Sequence, residues 1–189
     1  VNINLAIGGK MPVVQQKEWR GRMSSRIALD LVLRAGIKVK RLELDIPDLE
    51  LCRRLMLYRA MGVFLPEDPG CIYLHGNIPD EEKDYVVLHE TGHSLSVVGN
   101  KAEYIIRMRE LAKNNLLSSE EAAKITQSTY EEELIADLFA FDMLRHLNLP
   151  IPELLHSRLE SLIVFATVTS ESAVNSIVEE FKKKICRNE

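Results

Sequence analysis

Cysteine is scarce in this chain, and what there is lies scattered. Cys52, Cys71 and Cys186 are three in 189 residues, with no C-x-x-C pair among them. That excludes a disulfide framework and a cysteine-based zinc knuckle, and leaves them as buried or incidental thiols. Long apolar runs are missing as well. None approaches the roughly 20 residues that a membrane span needs, and Val1 to Gly9 lacks the charged start and the length of a secretory signal. The default expectation is a cytoplasmic protein with no membrane contact. Nor is there a basic excess, since the net charge of -4 gives no general reason to expect direct contact with nucleic acid. Between Lys17 and Arg59 eleven Lys or Arg stand against six Asp or Glu, but they share no single spacing and read as a solvated face. Internal repeats and low-complexity segments are absent. What remains, 46% hydrophobic and 28% charged residues, suits one globular domain of ordinary size.

Residues 1–23, with Gly8-Gly9, Pro12 and a polar run around Gln15 and Gln16, are expected to be weakly ordered. Residues 24–189 are expected to form a single domain, its core over 24–147 and its C-terminal helices within 153–185. Helical spacing from Ser24 or Ser25 to Ala35 stops at Gly36, and Ile37 to Leu44 then alternates as a half-buried strand. Leu49 to Ala60 reads as a helix, which Gly62 ends. Val63-Phe64-Leu65 and Cys71 to Leu74, on either side of Pro66-Glu67-Asp68-Pro69-Gly70, predict a hairpin. The resulting sheet is small and one-sided. Asn77 to Asp80 carries helix-start chemistry for a helix reaching about Val98, and Lys101 to Leu111 looks helical. Ser118-Ser119-Glu120-Glu121 is a capping box for a short helix, and Ser128 or Thr129 caps a further helix that stops before Pro150. Glu153 to Thr167 and Ser170 to Lys184 predict two amphipathic helices. The expected class is α+β, mostly helical, with a small antiparallel-type sheet packed on two of the helices.

The stretch with most chemistry in it is His89-Glu90-Thr91-Gly92-His93. On a helix the two histidines fall at i and i+4, one above the other on one face, where both imidazoles can bind one cation. The pattern H-E-x-x-H uses that spacing to hold zinc, with the Glu as general base. A catalytic zinc needs a third protein ligand and one open position. The best candidate lies in Glu131-Glu132-Glu133-Leu134-Ile135-Ala136-Asp137. Glu133 and Asp137 share a helix face beside an apolar stripe of Leu134, Leu138 and Phe141. Glu133 can reach the metal while Asp137 accepts a hydrogen bond from a liganding imidazole, fixing its tautomer. Glu131 and Glu132 fit a solvated helix start better. A different zinc-site branch, completed by His146 or His156, stays open as the alternative.

His89-Glu90-x-Gly92-His93 followed by Glu133-x-x-Ala136-Asp137-x-Phe139-Ala140, with the strand Cys71-Ile72-Tyr73-Leu74-His75 leading into the motif helix, resembles the ImmA/IrrE family of bacterial and phage metallopeptidases, within the gluzincin group. The likeness covers roughly residues 24–147. It departs at Ile135, where the family usually has an acid, and at Met143-Leu144-Arg145-His146, where the family has Leu-Leu-x-Pro. The resemblance implies a zincin-like core in which His89, His93 and Glu133 hold zinc, with manganese as the alternative ion, and Asp137 supports a ligand. It also implies a protein substrate that is a helix-turn-helix transcriptional repressor, cut at one site to switch on phage, mobile-element or stress genes.

The mechanism expected on these residues is hydrolysis of a peptide bond. Glu90 takes a proton from the attacking water and passes it to the leaving amine. One further donor should stabilise the oxyanion, with Tyr73, Tyr130, His146 and His156 candidates by type alone. His75 reads as structural. The competing class is a non-catalytic regulator or antitoxin-like binding module, in which a metal serves only the fold. Glu90 speaks against it, because a purely structural site fills its fourth position with a protein ligand and needs no base.

Overall fold

Eleven successive residues, Tyr85 to Leu95, are buried, and a helix buried on every side must be walled in on every side. The rest of the chain supplies those walls. The computed structural model describes residues 27–45, 60–68, 70–97, 104, 106–107, 111, 114, 116–162 and 168–187. In chain order its elements are α1 (Ile27–Arg34), β1 (Lys38–Arg41), α2 (Leu42–Asp45), β2 (Gly62–Phe64), β3 (Cys71–Leu74), α3 (Lys83–Ser96), α4 (Ser119–His146), α5 (Glu153–Leu162) and α6 (Val168–Arg187). The class is α+β and mostly helical, as expected. Residues 49–59 of the predicted helix over 49–60 and the segment 1–23 lie outside the described residues, Ala60 being described and not helical; so does most of 101–111, of which Tyr104, Ile106, Arg107 and Leu111 are helical.

The central helix is α3. It packs on α1, on β2 and β3, on α4 and on α6, and α4 in turn carries α5 and α6. Val32, Ile72, Leu88, Phe139 and Phe181 meet in the main core, where the Phe139 and Phe181 rings cross edge to face at 5.6 Å. Aromatic pairs favour that arrangement because the positive ring edge meets the negative face. Among the described residues no helix is long and apolar enough to cross a membrane.

The sheet runs in the order β1-β3-β2. The hairpin is present, with Gly62 opposite Leu74 and Phe64 opposite Ile72 in an antiparallel pair. β1, however, lies parallel to β3, Val39 beside Ile72, so the expected antiparallel-type sheet is mixed. It is not one-sided either. Ile72 and Leu74 face the main core, while Cys71 and Tyr73 face a second cluster with Leu42 and Leu65. A strand apolar on both faces belongs in the middle of a sheet.

Two further expectations are corrected. β1 ends at Arg41 and Leu42–Asp45 makes one helical turn, because the Asp45 carboxylate accepts the Arg41 backbone N–H at 2.7 Å and winds the chain. Leu42 is thereby buried and Leu44 left 71% exposed. The two helices predicted around Ser118 and Ser128 are one helix of 28 residues. Its capping box is real: Ser118 Oγ accepts the Glu121 N–H, and Glu121 accepts the Ser118 N–H. Ser128 and Thr129 cap nothing. Thr129 returns its hydroxyl to the Ile125 carbonyl within the helix, and no Gly or Pro interrupts residues 119–146.

α3 and α4 cross at their smallest residues. A Cβ on Gly92 would lie 2.9 Å from Ala136 Cα, so the absence of a side chain lets the two backbones touch. Gly92→Ala should gain about 1 kcal/mol of helix propensity. It should lose more to the backbone clash, for a net destabilisation of about 1–3 kcal/mol. Thermal unfolding would show it as a lowered midpoint; an unchanged or raised midpoint would mean that the crossing is looser than described.

Candidate metal centre

The Gly92–Ala136 crossing sets one face of α3 against one face of α4, and four residues from the two sequence motifs meet there. His89 and His93, one turn apart on α3, bring their Nε2 atoms to 3.1 Å. Glu133 reaches across from α4, its Oε2 at 3.5 Å from His89 Nε2 and its Oε1 at 3.4 Å from His93 Nε2. These three side chains form a group that can hold a metal ion. Two imidazoles and a carboxylate converging on one point are the donor set of a divalent transition ion.

Asp137, fully buried one turn beyond Glu133, stands behind the group. Its Oδ1 lies 2.7 Å from His89 Nδ1 and accepts a hydrogen bond from Tyr85 OH at 2.9 Å. A carboxylate on Nδ1 holds the proton there and leaves Nε2 to the ion.

Burial disfavours a charged His89, but the Asp137 and Glu133 carboxylates outweigh it and raise its pKa to about 10. Burial likewise pushes the Glu133 carboxyl up, and the two imidazoles more than reverse this, holding it well below the usual carboxylate range. Glu90 behaves in the opposite sense. Desolvation raises it, and the neighbouring histidines only partly offset that. Among the described residues no hydrogen-bond partner reaches its carboxylate, which is packed where a Cβ on Gly62 would lie 2.8 Å from Oε1. A buried, unpartnered carboxylate with a raised pKa is poised to take up a proton.

A cleft of about 560 Å³ opens over the group. His89, Glu90, His93 and Glu133 line it on one side, and the β2 residues Gly62 to Phe64 on another. None of the four side chains considered for the oxyanion lines it. Tyr73 is buried in the sheet's second cluster, its hydroxyl on Asp68 at 2.7 Å. Tyr130 is exposed. His146 is exposed on the last turn of α4, and His156 packs edge-on against Phe141 at 6.2 Å. Neither histidine joins the metal-holding group, so Glu133 and not a third histidine completes it. His75 belongs to neither the group nor the cleft lining and lies 3.3 Å from Glu43 just after β3.

Three contributors are not anticipated by the sequence reading. Arg158, on α5, donates to Asp137 Oδ2 at 2.9 Å and to Glu133 Oε2 at 2.7 Å. Tyr85 lines the cleft one turn before His89, and the i, i+4 spacing on α3 was the available signal for it. Glu132, expected on a solvated helix start, is buried mid-helix and accepts from Ser96 Oγ at 3.1 Å. The helix begins far upstream of it, so the acidic run is not a helix start at all.

No protein-family model, characterised protein or solved structure matches the chain.

Proposed function

We propose that this chain is a zinc-dependent endopeptidase that cuts a partner transcriptional repressor at a defined site. The observation that carries the reading is the group of donor side chains, with His89 Nε2 3.1 Å from His93 Nε2 and a different Glu133 oxygen 3.4–3.5 Å from each imidazole, beside the buried Glu90. Ligand bonds of 2.0–2.1 Å at tetrahedral angles put donors about 3.3 Å apart, the spacing zinc asks for. Manganese prefers more oxygen and a higher coordination number, and suits this nitrogen-rich set less well. When bound, the ion supplies Lewis acidity: it lowers the pKa of water and polarises a carbonyl oxygen.

The chain's own residues supply the rest. Glu90 takes the proton of the attacking water on its carboxylate and returns it to the leaving amine; its raised pKa suits both halves of that transfer. Asp137 holds His89 in the tautomer that ligates. β2 is an edge of the sheet and lines the cleft. Its outer backbone groups, unpaired among the described residues, can receive an extended peptide as an added strand. That geometry favours a peptide substrate over a small ester or a sugar. The narrowing to one repressor follows from the resemblance to the ImmA/IrrE family.

New protein N-termini in cells producing the wild type, mapped against cells producing Glu90→Gln, test the proposal. One or a few new termini within a DNA-binding repressor are expected. Comparable cleavage of many unrelated proteins would overturn the narrow specificity, and no new termini from a metal-loaded protein would turn the reading to a non-catalytic binding module.

A further inference from the structure

Arg158 bridges both acidic members of the centre from outside the metal-holding group. Its planar guanidinium spends Nη2 on Glu133 Oε2 at 2.7 Å and Nε on Asp137 Oδ2 at 2.9 Å, so one rigid fork sets the position of two carboxylates relative to each other. The arm that carries it is anchored. Leu155 and Leu162, buried on either side of Arg158 along α5, fall at i-3 and i+4 and pin that helix face against the core.

The two oxygens of Glu133 are therefore not equivalent. Oε2 already receives a charge-assisted hydrogen bond, which draws its lone-pair density away from any cation on the other side. Each oxygen faces one imidazole, Oε1 at 3.4 Å from His93 Nε2 and Oε2 at 3.5 Å from His89 Nε2, but only Oε2 also carries the guanidinium. We infer that Arg158 is a positioning residue that restricts Glu133 to one ligating oxygen, Oε1, and so keeps a coordination position of the ion free for substrate or water. Two imidazoles and one carboxylate oxygen take three positions of a four-coordinate site. A carboxylate grasping with both oxygens would fill the fourth. The inference rests on the reading of His89, His93 and Glu133 as a metal centre. It goes beyond that reading by assigning the openness of the site to a residue that does not touch the ion.

Affinity alone does not discriminate this role from simple charge balance. Removing Arg158 takes away a repelling charge and a supporting contact at once, and these act in opposite directions. Coordination number does discriminate. The test is the visible absorption per bound Co²⁺ in the full chain, with metal stoichiometry measured alongside, for wild type and for Arg158→Met. The Met variant keeps the apolar stem that packs and loses only the fork. Four-coordinate cobalt, lacking a centre of symmetry, absorbs strongly, and higher coordination weakens the bands.

The expected result is one bound cobalt in each protein, intense bands in the wild type and bands several-fold weaker in Arg158→Met. Equal intensity in the two proteins, or weak bands in the wild type, would overturn the role given to Arg158 while leaving the metal centre standing. A wild type that binds no cobalt would overturn the metal centre and this inference with it. Should the variant fail to fold, a crystal structure of cobalt-loaded wild type decides: one Glu133 oxygen within bonding distance supports the inference, and two overturn it.

Discussion

Replacing Glu90 with Gln is expected to lower hydrolysis by about 10²–10⁴-fold, the usual worth of a general base, while metal content stays at the wild-type level. Glu133→Ala is expected to do the reverse in order of cause, losing most of the ion first and activity as a consequence. The distinction follows from position. Glu133 is a member of the metal-holding group, whereas Glu90 lies on the same helix as both histidines but outside that group, in the wall of the cleft. Gln is close to isosteric with Glu, so the packing against Gly62, where a Cβ would lie 2.7 Å from Glu90 Cγ, is kept. Only the proton-accepting oxygen is lost. The checks are metal analysis by mass spectrometry on protein purified without chelator, and the rate of appearance of the cleaved repressor. Loss of metal in Glu90→Gln would make Glu90 a ligand and remove the base from the mechanism. Full metal in Glu133→Ala would remove Glu133 from the centre.

The part of this centre that was legible in the sequence is the part set by helix periodicity. His89 with His93, and Glu133 with Asp137, are each one turn apart, and an i, i+4 pair shares a face whatever the tertiary structure does. Even the crossing was marked, since Gly92 and Ala136 are the small residues of the two motifs and their backbones meet. Arg158 had no such mark. It follows Asp137 by 21 residues and belongs to another helix, and only the docking of α5 on α4 brings it to the carboxylates. Its charge looked like any solvated charge on an amphipathic helix. Glu132 misled for a related reason: an acidic triplet resembles a helix start, and only the capping box at Ser118 and the uninterrupted chain after it show that the helix began 13 residues earlier. The mixed sheet was hidden too. Alternation predicts which face of a strand is buried, but says nothing of which neighbour lies parallel to it.

Metal affinity is expected to rise about tenfold per pH unit between about pH 6 and 8, because one proton must leave for the ion to bind. The proton is the one on His89 Nε2. In chelator-stripped protein the Asp137 and Glu133 carboxylates, working against burial, hold the His89 pKa up to about 10, so the ring stays an imidazolium through that whole interval. Binding converts it to a neutral ligand that keeps only its Nδ1 proton, on Asp137. The stability of the stripped protein runs the other way. A histidine whose folded pKa lies above its unfolded value of about 6.5 contributes stability that is fully present below that value and is lost as pH rises through about 10. Above about pH 6.5 raising the pH therefore weakens the stripped protein, while the loaded one, whose His89 is neutral like that of the unfolded chain, holds its stability, and the gap in melting temperature between them should widen with pH. Competition titrations with a buffered zinc indicator, paired with melting curves of both forms, measure the two slopes. A metal affinity that does not change across this range would mean that His89 is already neutral before the ion arrives, and that the carboxylates around it do not hold its second proton.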